Sequence, residues 1–199
     1  MGLAVAERSV LVVIDLQGKL VEKVHRAPLV LAATRRLLRI AELFRVPVVV
    51  TEQYPRGLGA THPGILEVFD ALTVPHRRFE KTAFGCLAEP GFEQLLAELR
   101  PGVPAARRQL VVAGIEAHVC VMQTVLEALG AGQEVHVCWE AVSGRGAEYR
   151  EWALARMQQA GAAITNHESV AFEWAQHKDH AAFKALSALL KEGQLAGEA

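Results

Sequence analysis

The run SVLVVID at residues 9–15 decides the fold. Five consecutive aliphatic residues, four of them β-branched, close on a carboxylate. A strand buried on both faces of a parallel sheet has that pattern, whereas a half-solvated strand would alternate with polar residues. Reading outward, residues 29–44 place Val30, Ala33, Leu37, Ile40, Ala41 and Phe44 on one side and Arg35, Arg36, Arg39 and Glu42 on the other, so an amphipathic helix follows. Residues 46–51 (VPVVVT) predict a second strand, with Pro47 tolerated near its start. The prolines and glycines of TEQYPRGLGATHPG then exclude helix or strand. Residues 92–99 predict a helix, 109–114 (QLVVAG) a third buried strand, and 119–129 a helix closed by Gly130. A strand at 134–138, a helix at 148–160, a short strand at 162–165 and an amphipathic helix at 179–190 complete the rhythm. Alternating strands and helices predict an α/β fold, an open parallel sheet in three layers with helices on both faces. Such sheets bind ligands beyond the carboxyl ends of their strands.

Composition narrows the class. A chain of 199 residues, 51% hydrophobic, suffices for one α/β domain spanning residues 1–199 and is short for two. A formal net charge of -1 argues against nucleic acid or a charged membrane surface as partner, leaving a small-molecule substrate as the default. The apolar runs are far shorter than a membrane span, and the segment before Asp15 lacks the shape of a signal peptide, so a cytoplasmic location is expected. Cys86, Cys120 and Cys138 have neither the even count nor the density of a disulfide framework. No Cys/His cluster has metal-ligand spacing, so neither metal nor cofactor is expected.

Polar positions just past strand ends are candidate site residues. Asp15 ends the first strand and could equally cap the turn that follows, as could Gln17. Because Gln17 stands where a phosphatase of the two-aspartate type needs its second Asp, and Gly18 is the one glycine after the strand, phosphate and dinucleotide chemistry are disfavoured. Cys120 falls where the third strand gives way to a helix, whose N-terminal dipole would favour a thiolate; a buried structural cysteine fits the same position. His118 lies two residues away and need not face it. Lys81 follows a charged run that alone reads as a solvated face, and Cys86 and Cys138 read as core.

Taken together, VVIDLQGKL around Asp15, VPVVVTEQYPRGLG, FEKTAFGC around Lys81, VVAGIEAHVCVMQT around Cys120, AVSGR at residues 141–145 and RMQQAGAAITNHESVAFEW at 156–174 resemble the isochorismatase-like cysteine hydrolases. The ordered set is specific although no single motif is. The resemblance implies an Asp15, Lys81, Cys120 triad and a non-proline cis peptide at Ile115–Glu116, which would aim the backbone N–H groups of Glu116 and Cys120 at one oxyanion. It also implies a homo-oligomer. Nicotinamidases of this superfamily carry an Asp and histidines after the second strand that bind a metal, whereas this chain has TEQYP there, with His62 alone. Gln17, Tyr54 and Phe84 are the expected pocket walls. The resulting expectation is hydrolysis of an amide-like C–N bond through a thioester. Vinyl-ether hydrolysis of isochorismate type and an interaction module on a hydrolase scaffold are the alternatives.

Overall fold

The computed structural model describes residues 2–192. Residues 1 and 193–199, which the single-domain expectation includes, lie outside the described residues. Strand β1 (Ser9–Ile14) is buried along its whole length and sits near the middle of a six-stranded sheet. It pairs in parallel with β2 (Val48–Gln53) on one side, Leu11 opposite Val48. On the other it pairs with β4 (Gln109–Gly114), Val12 opposite Val112. With β3 (His76–Lys81), β5 (Glu134–Val142) and β6 (Ala163–Thr165) the order is β3-β2-β1-β4-β5-β6, all parallel.

The pleat of β1 shows why its sequence is apolar throughout. Leu11 and Val13 enter a core beneath α1 (Ala27–Leu43), α2 (Pro63–Phe69), α6 (His167–Ala175) and α7 (Phe183–Leu190). Val10, Val12 and Ile14 enter the opposite core, beneath α3 (Phe92–Leu99), α4 (Met122–Gly130) and α5 (Ala147–Gln159). Leu37 and Leu38 of α1 are fully buried; truncating either to alanine would cost about 2–5 kcal/mol. The apolar side of α7 packs inward, Leu186 and Leu189 being buried against α1 and α6.

Three expectations need correction. The proline- and glycine-rich segment is not structureless: its first residues, through Gln53, finish β2, Pro55–Leu58 forms one helical turn, and α2 starts at Pro63. There a proline suits the first helical position and His62 Nδ1 caps by accepting from the Gly64 amide at 3.1 Å. The charged run before Lys81 is the edge strand β3. Arg77, Arg78 and Glu80 are exposed along it, so apolar alternation is masked by the charges that protect a sheet edge. Finally, the expected helix at 119–129 begins instead with a π-helical turn, Ala117–Val121, ahead of α4, and α6 was not anticipated.

The chain leaves β1 towards β2 on one side, and β4 lies on the other, so a crevice opens beyond their carboxyl ends. Gly114 lets the β4 loop enter it: at φ 126°, any Cβ there would lie 2.1 Å from the Ile14 carbonyl oxygen.

Candidate active site

Asp15 is held in the left-handed region, φ 51°, immediately after β1. Aspartate tolerates that conformation better than most residues, and the Asp15 amide still donates to the Thr51 carbonyl at 3.2 Å. The carboxylate is 2% exposed and both oxygens are engaged. Thr51 Oγ1 donates to Oδ1 at 2.7 Å, and Lys81 Nζ donates to Oδ2 at 2.8 Å. Lys81, at the end of β3, is equally buried and is surrounded by three more acceptors: Gln53 Oε1 at 2.6 Å, Phe84 O at 3.0 Å and Ala83 O at 3.2 Å. A buried ammonium persists only with such pairing.

The carbonyls around Lys81 belong to a loop fastened from both ends. Glu89 Oε2 accepts from the Thr82 and Ala83 amides, each at 2.8 Å. From α4, Thr124 Oγ1 accepts from the Cys86 amide at 3.0 Å and Glu127 Oε2 from the Leu87 amide at 3.1 Å. Thr124 Oγ1 also donates to the Cys120 carbonyl at 2.7 Å, so one helix braces both the lysine loop and the turn carrying the thiol.

Cys120 lies in the π-helical turn, 8% exposed, and lines one cavity with Asp15. The Ile115–Glu116 peptide before it is cis. Burial, and then the Asp15 charge, push the thiol up to about 12, with Lys81 pulling the other way. The resting group is therefore a protonated thiol, not the thiolate that a helix N-terminus alone would favour. Cys86 is raised to about 12 as well, first by burial, and Lys81 again opposes the shift. Cys86 is thus a neighbour of the charged pair rather than remote core, although it is fully buried. Burial raises Cys138 well above the ordinary range.

Asp15 and Cys120 open into a cavity of about 290 Å3. Leu20, Leu58, Phe84, Ile115 and Val119 give it apolar walls, and Gln53, Glu116 and Arg145 add polar groups. Of the three expected wall residues, Phe84 lines it. Gln17 does not: its amide is spent on Gly59 O at 2.6 Å, Gln53 O at 3.1 Å and the Gln53 amide at 2.6 Å, tying the chain after β1 to the end of β2. Tyr54 lines a separate open depression with Arg56 and Glu89. Thr51, Gln53 and Arg145 are the site residues that sequence reasoning did not single out. His118 is turned towards Glu116 Oε2, 3.5 Å from its Nε2, and Arg145 Nε lies 3.2 Å from Glu116 Oε1.

Glu52, near the end of β2, and His62, beyond it, are engaged in hydrogen bonds of their own. Glu52 Oε1 accepts from the Thr61 amide and hydroxyl at 2.8 and 2.7 Å, and His62 is occupied as a helix cap. Among the described residues no group of three His, Cys, Asp or Glu side chains is placed to hold a metal ion, and no helix is long and apolar enough to cross a membrane.

A doubly wound parallel sheet with a thiol and a buried Asp–Lys pair at its switch point defines the class as an α/β protein of isochorismatase fold. The chain belongs to the isochorismatase family of hydrolases, its residues 9–169 matching the isochorismatase domain. It is 40% identical over 162 residues to isochorismatase domain-containing protein 1 of Danio rerio, covering 81% of this chain and 53% of that protein, so it spans about half of that relative's length. It is 35% identical over 192 residues to isochorismatase domain-containing protein 2 of Homo sapiens, covering 96% of this chain and 87% of that protein. Among solved structures, that of MAR1 ribonuclease from Caenorhabditis elegans superposes with a TM-score of 0.85 at 33% identity, covering 98% of this chain and 96% of that one.

Proposed function

We propose that this protein is a cysteine-dependent hydrolase of small, uncharged amide-like substrates, with Cys120 as nucleophile, Asp15 as general base and acid, and Lys81 as the cation that orients Asp15 and favours thiolate. The observation that carries the proposal is the Cys120 thiol lining one apolar cavity together with the Asp15 carboxylate that Lys81 holds at 2.8 Å.

The chemistry follows from those positions. With the thiol near 12, proton transfer to Asp15 is uphill until a carbonyl carbon is in place, so transfer and attack occur together. The S–C bond forms as the C=O π pair moves onto oxygen, where the Glu116 and Cys120 backbone N–H groups receive it. Collapse of this adduct breaks the C–N bond, and Asp15 returns the proton to the departing nitrogen. Water then attacks the thioester while Asp15 takes its proton. The acid leaves and the proton returns to Sγ.

Charge balance supports an uncharged substrate. The Asp15 carboxylate is paired with Lys81 and the Glu116 carboxylate with Arg145, so among the described residues lining the cavity no cation is left over to offset the desolvation of an anionic ligand. Isochorismate, a dicarboxylate whose vinyl ether needs no thiol, fits this cavity less well. An RNA substrate, which the name of the C. elegans relative raises, would call for a cationic track along the phosphates; the formal net charge is -1. A purely structural module would have no use for the buried Lys81–Asp15 pair beside a thiol that opens on a cavity. Screening the purified protein for ammonia release across neutral and anionic amides, imides and ureides tests the reading. Turnover of neutral amides by the wild type but not by Cys120→Ala is expected. Activity confined to carboxylate-bearing substrates, or kept by Cys120→Ala, would overturn it.

A further inference from the structure

The loop that supplies two of the acceptors around Lys81 has no regular structure of its own. Residues 82–91 form neither helix nor strand, so side chains must satisfy their backbone groups and fix their path. Lys81 Nζ takes the Ala83 and Phe84 carbonyls, which therefore point inwards. Glu89, within the loop, takes the Thr82 and Ala83 amides. Three successive amides further on go to α4: Thr124 Oγ1 accepts from Cys86 at 3.0 Å, and Glu127 Oε2 from Leu87 and Ala88 at 3.1 and 3.3 Å. Thr124 and Glu127 are three residues apart and share a face of that helix. The fit between loop and helix is close. Gly85 is buried, and a Cβ there would lie 2.0 Å from Glu127 Oε1.

Thr124 differs from Glu127 in facing two ways. It is fully buried, and its oxygen, having accepted from the Cys86 amide, donates its proton to the Cys120 carbonyl at 2.7 Å. A single hydroxyl thus joins the backbone of the lysine loop to the backbone of the nucleophile itself. We infer, on the reading of Lys81 as the cation that favours thiolate, that Thr124 is a positioning residue of the reaction: its hydroxyl keeps the lysine loop in register with the turn bearing Cys120, and so keeps the Lys81 ammonium beside Asp15.

Thr124→Val exposes the role because valine keeps the branched shape and loses only the hydroxyl. A buried N–H and a buried carbonyl then lose their common partner, and the loop relaxes away from α4. The Ala83 and Phe84 carbonyls, two of the four acceptors of Lys81, move with it. A buried ammonium short of acceptors does not hold its place, and the Cys120 thiol is left with the Asp15 charge and less of the opposing cation. Thr124→Ser keeps the hydroxyl and with it the link.

The pH profile of Cys120 alkylation by iodoacetamide, read on the full chain, tests this without a substrate. Thr124→Val should move the profile to the alkaline side by about half a unit or more, though less than Lys81→Met does. Thr124→Ser should stay within about 0.2 unit of wild type. In the Lys81→Met/Thr124→Val double variant the profile should lie within about 0.2 unit of Lys81→Met alone, because two changes that act through one group do not add. Loosening of the fold by itself would speed alkylation at every pH through access and leave the profile where it is. Gly85→Ala, which presses on Glu127 from the loop side, should shift the profile in the same sense and carries the test should Thr124→Val fail to fold. A profile moved by Lys81→Met but by neither Thr124→Val nor Gly85→Ala, a serine variant displaced as far as the valine one, or additive shifts in the double variant would overturn the positioning role and leave the role of Lys81 standing. A profile that Lys81→Met itself leaves unmoved would overturn both.

Discussion

Two buried carboxylates, each joined to a basic side chain, occupy different parts of the same sheet. Asp15 and Lys81 connect the ends of β1 and β3, and Glu140 and His167 connect β5 to the first turn of α6. Asp15 and Glu140 are each 2% exposed. In the second pair, Glu140 Oε1 accepts from both the His167 amide and Nδ1, the latter at 2.8 Å, while Glu140 Oε2 and His167 Nε2 have no hydrogen-bond partner among the described residues. In the first, every oxygen of Asp15 is engaged, Lys81 has four acceptors, and the ensemble touches a thiol and a cavity. Burial of a charged pair is thus no mark of a site, since such pairs often contribute little net stability. What separates the two is what the carboxylate can reach.

The comparison is sharpened most by Asp15→Asn. Removing the carboxylate takes away the group that would shuttle the proton, and turnover should fall by about 10²–10⁴-fold. The same change removes a charge that raises the thiol, so alkylation of Cys120 by iodoacetamide at a fixed pH should become faster. Alkylation that slows in step with turnover would contradict the account.

Lys81→Met should act in the opposite sense on the thiol. With the opposing cation gone, the Cys120 value rises further, and the alkylation–pH profile should move to the alkaline side by about one unit or more, with turnover at least about tenfold lower. An unchanged profile would show that Lys81 serves structure alone.

Glu140→Gln should have the smallest effect on activity. The amide keeps one acceptor for His167, so kcat should stay within about twofold while unfolding free energy drops by about 1–3 kcal/mol in a denaturant titration. A large loss of kcat at unchanged stability would make the second pair functional and erase the contrast.

The same contrast explains what could be read in the chain. β1 and β4 were legible because burial on both faces writes a continuous aliphatic run, and α3 because its apolar spacing is local. β3 was hidden because an edge strand wears charge. The burial of Lys81 is conferred by Gln53, 28 residues away, and by the Ala83 and Phe84 carbonyls, partners that no local pattern announces. Gln17 and Tyr54 stood at plausible positions, but hydrogen bonding takes up the first, and the second, in the left-handed region at φ 39°, lines a different depression. Local reasoning about Cys120 found the strand-to-helix junction but not the burial and the Asp15 charge, which raise the thiol against the pull of Lys81. Cys120 and Cys86 share a value of about 12, so selectivity between them rests on access, the first lining a cavity and the second fully enclosed.

The central claim, that Cys120 is the nucleophile, is tested most directly by catching the covalent intermediate. The protein is mixed with an amide that it hydrolyses, quenched in acid within the first turnover, digested, and mapped by peptide mass spectrometry. The account predicts an acyl adduct on the Cys120 peptide that forms and decays at the rate of turnover, with none on Cys86 or Cys138. Hydrolysis proceeding at full rate with no adduct on Cys120, or retained by Cys120→Ala, would contradict it.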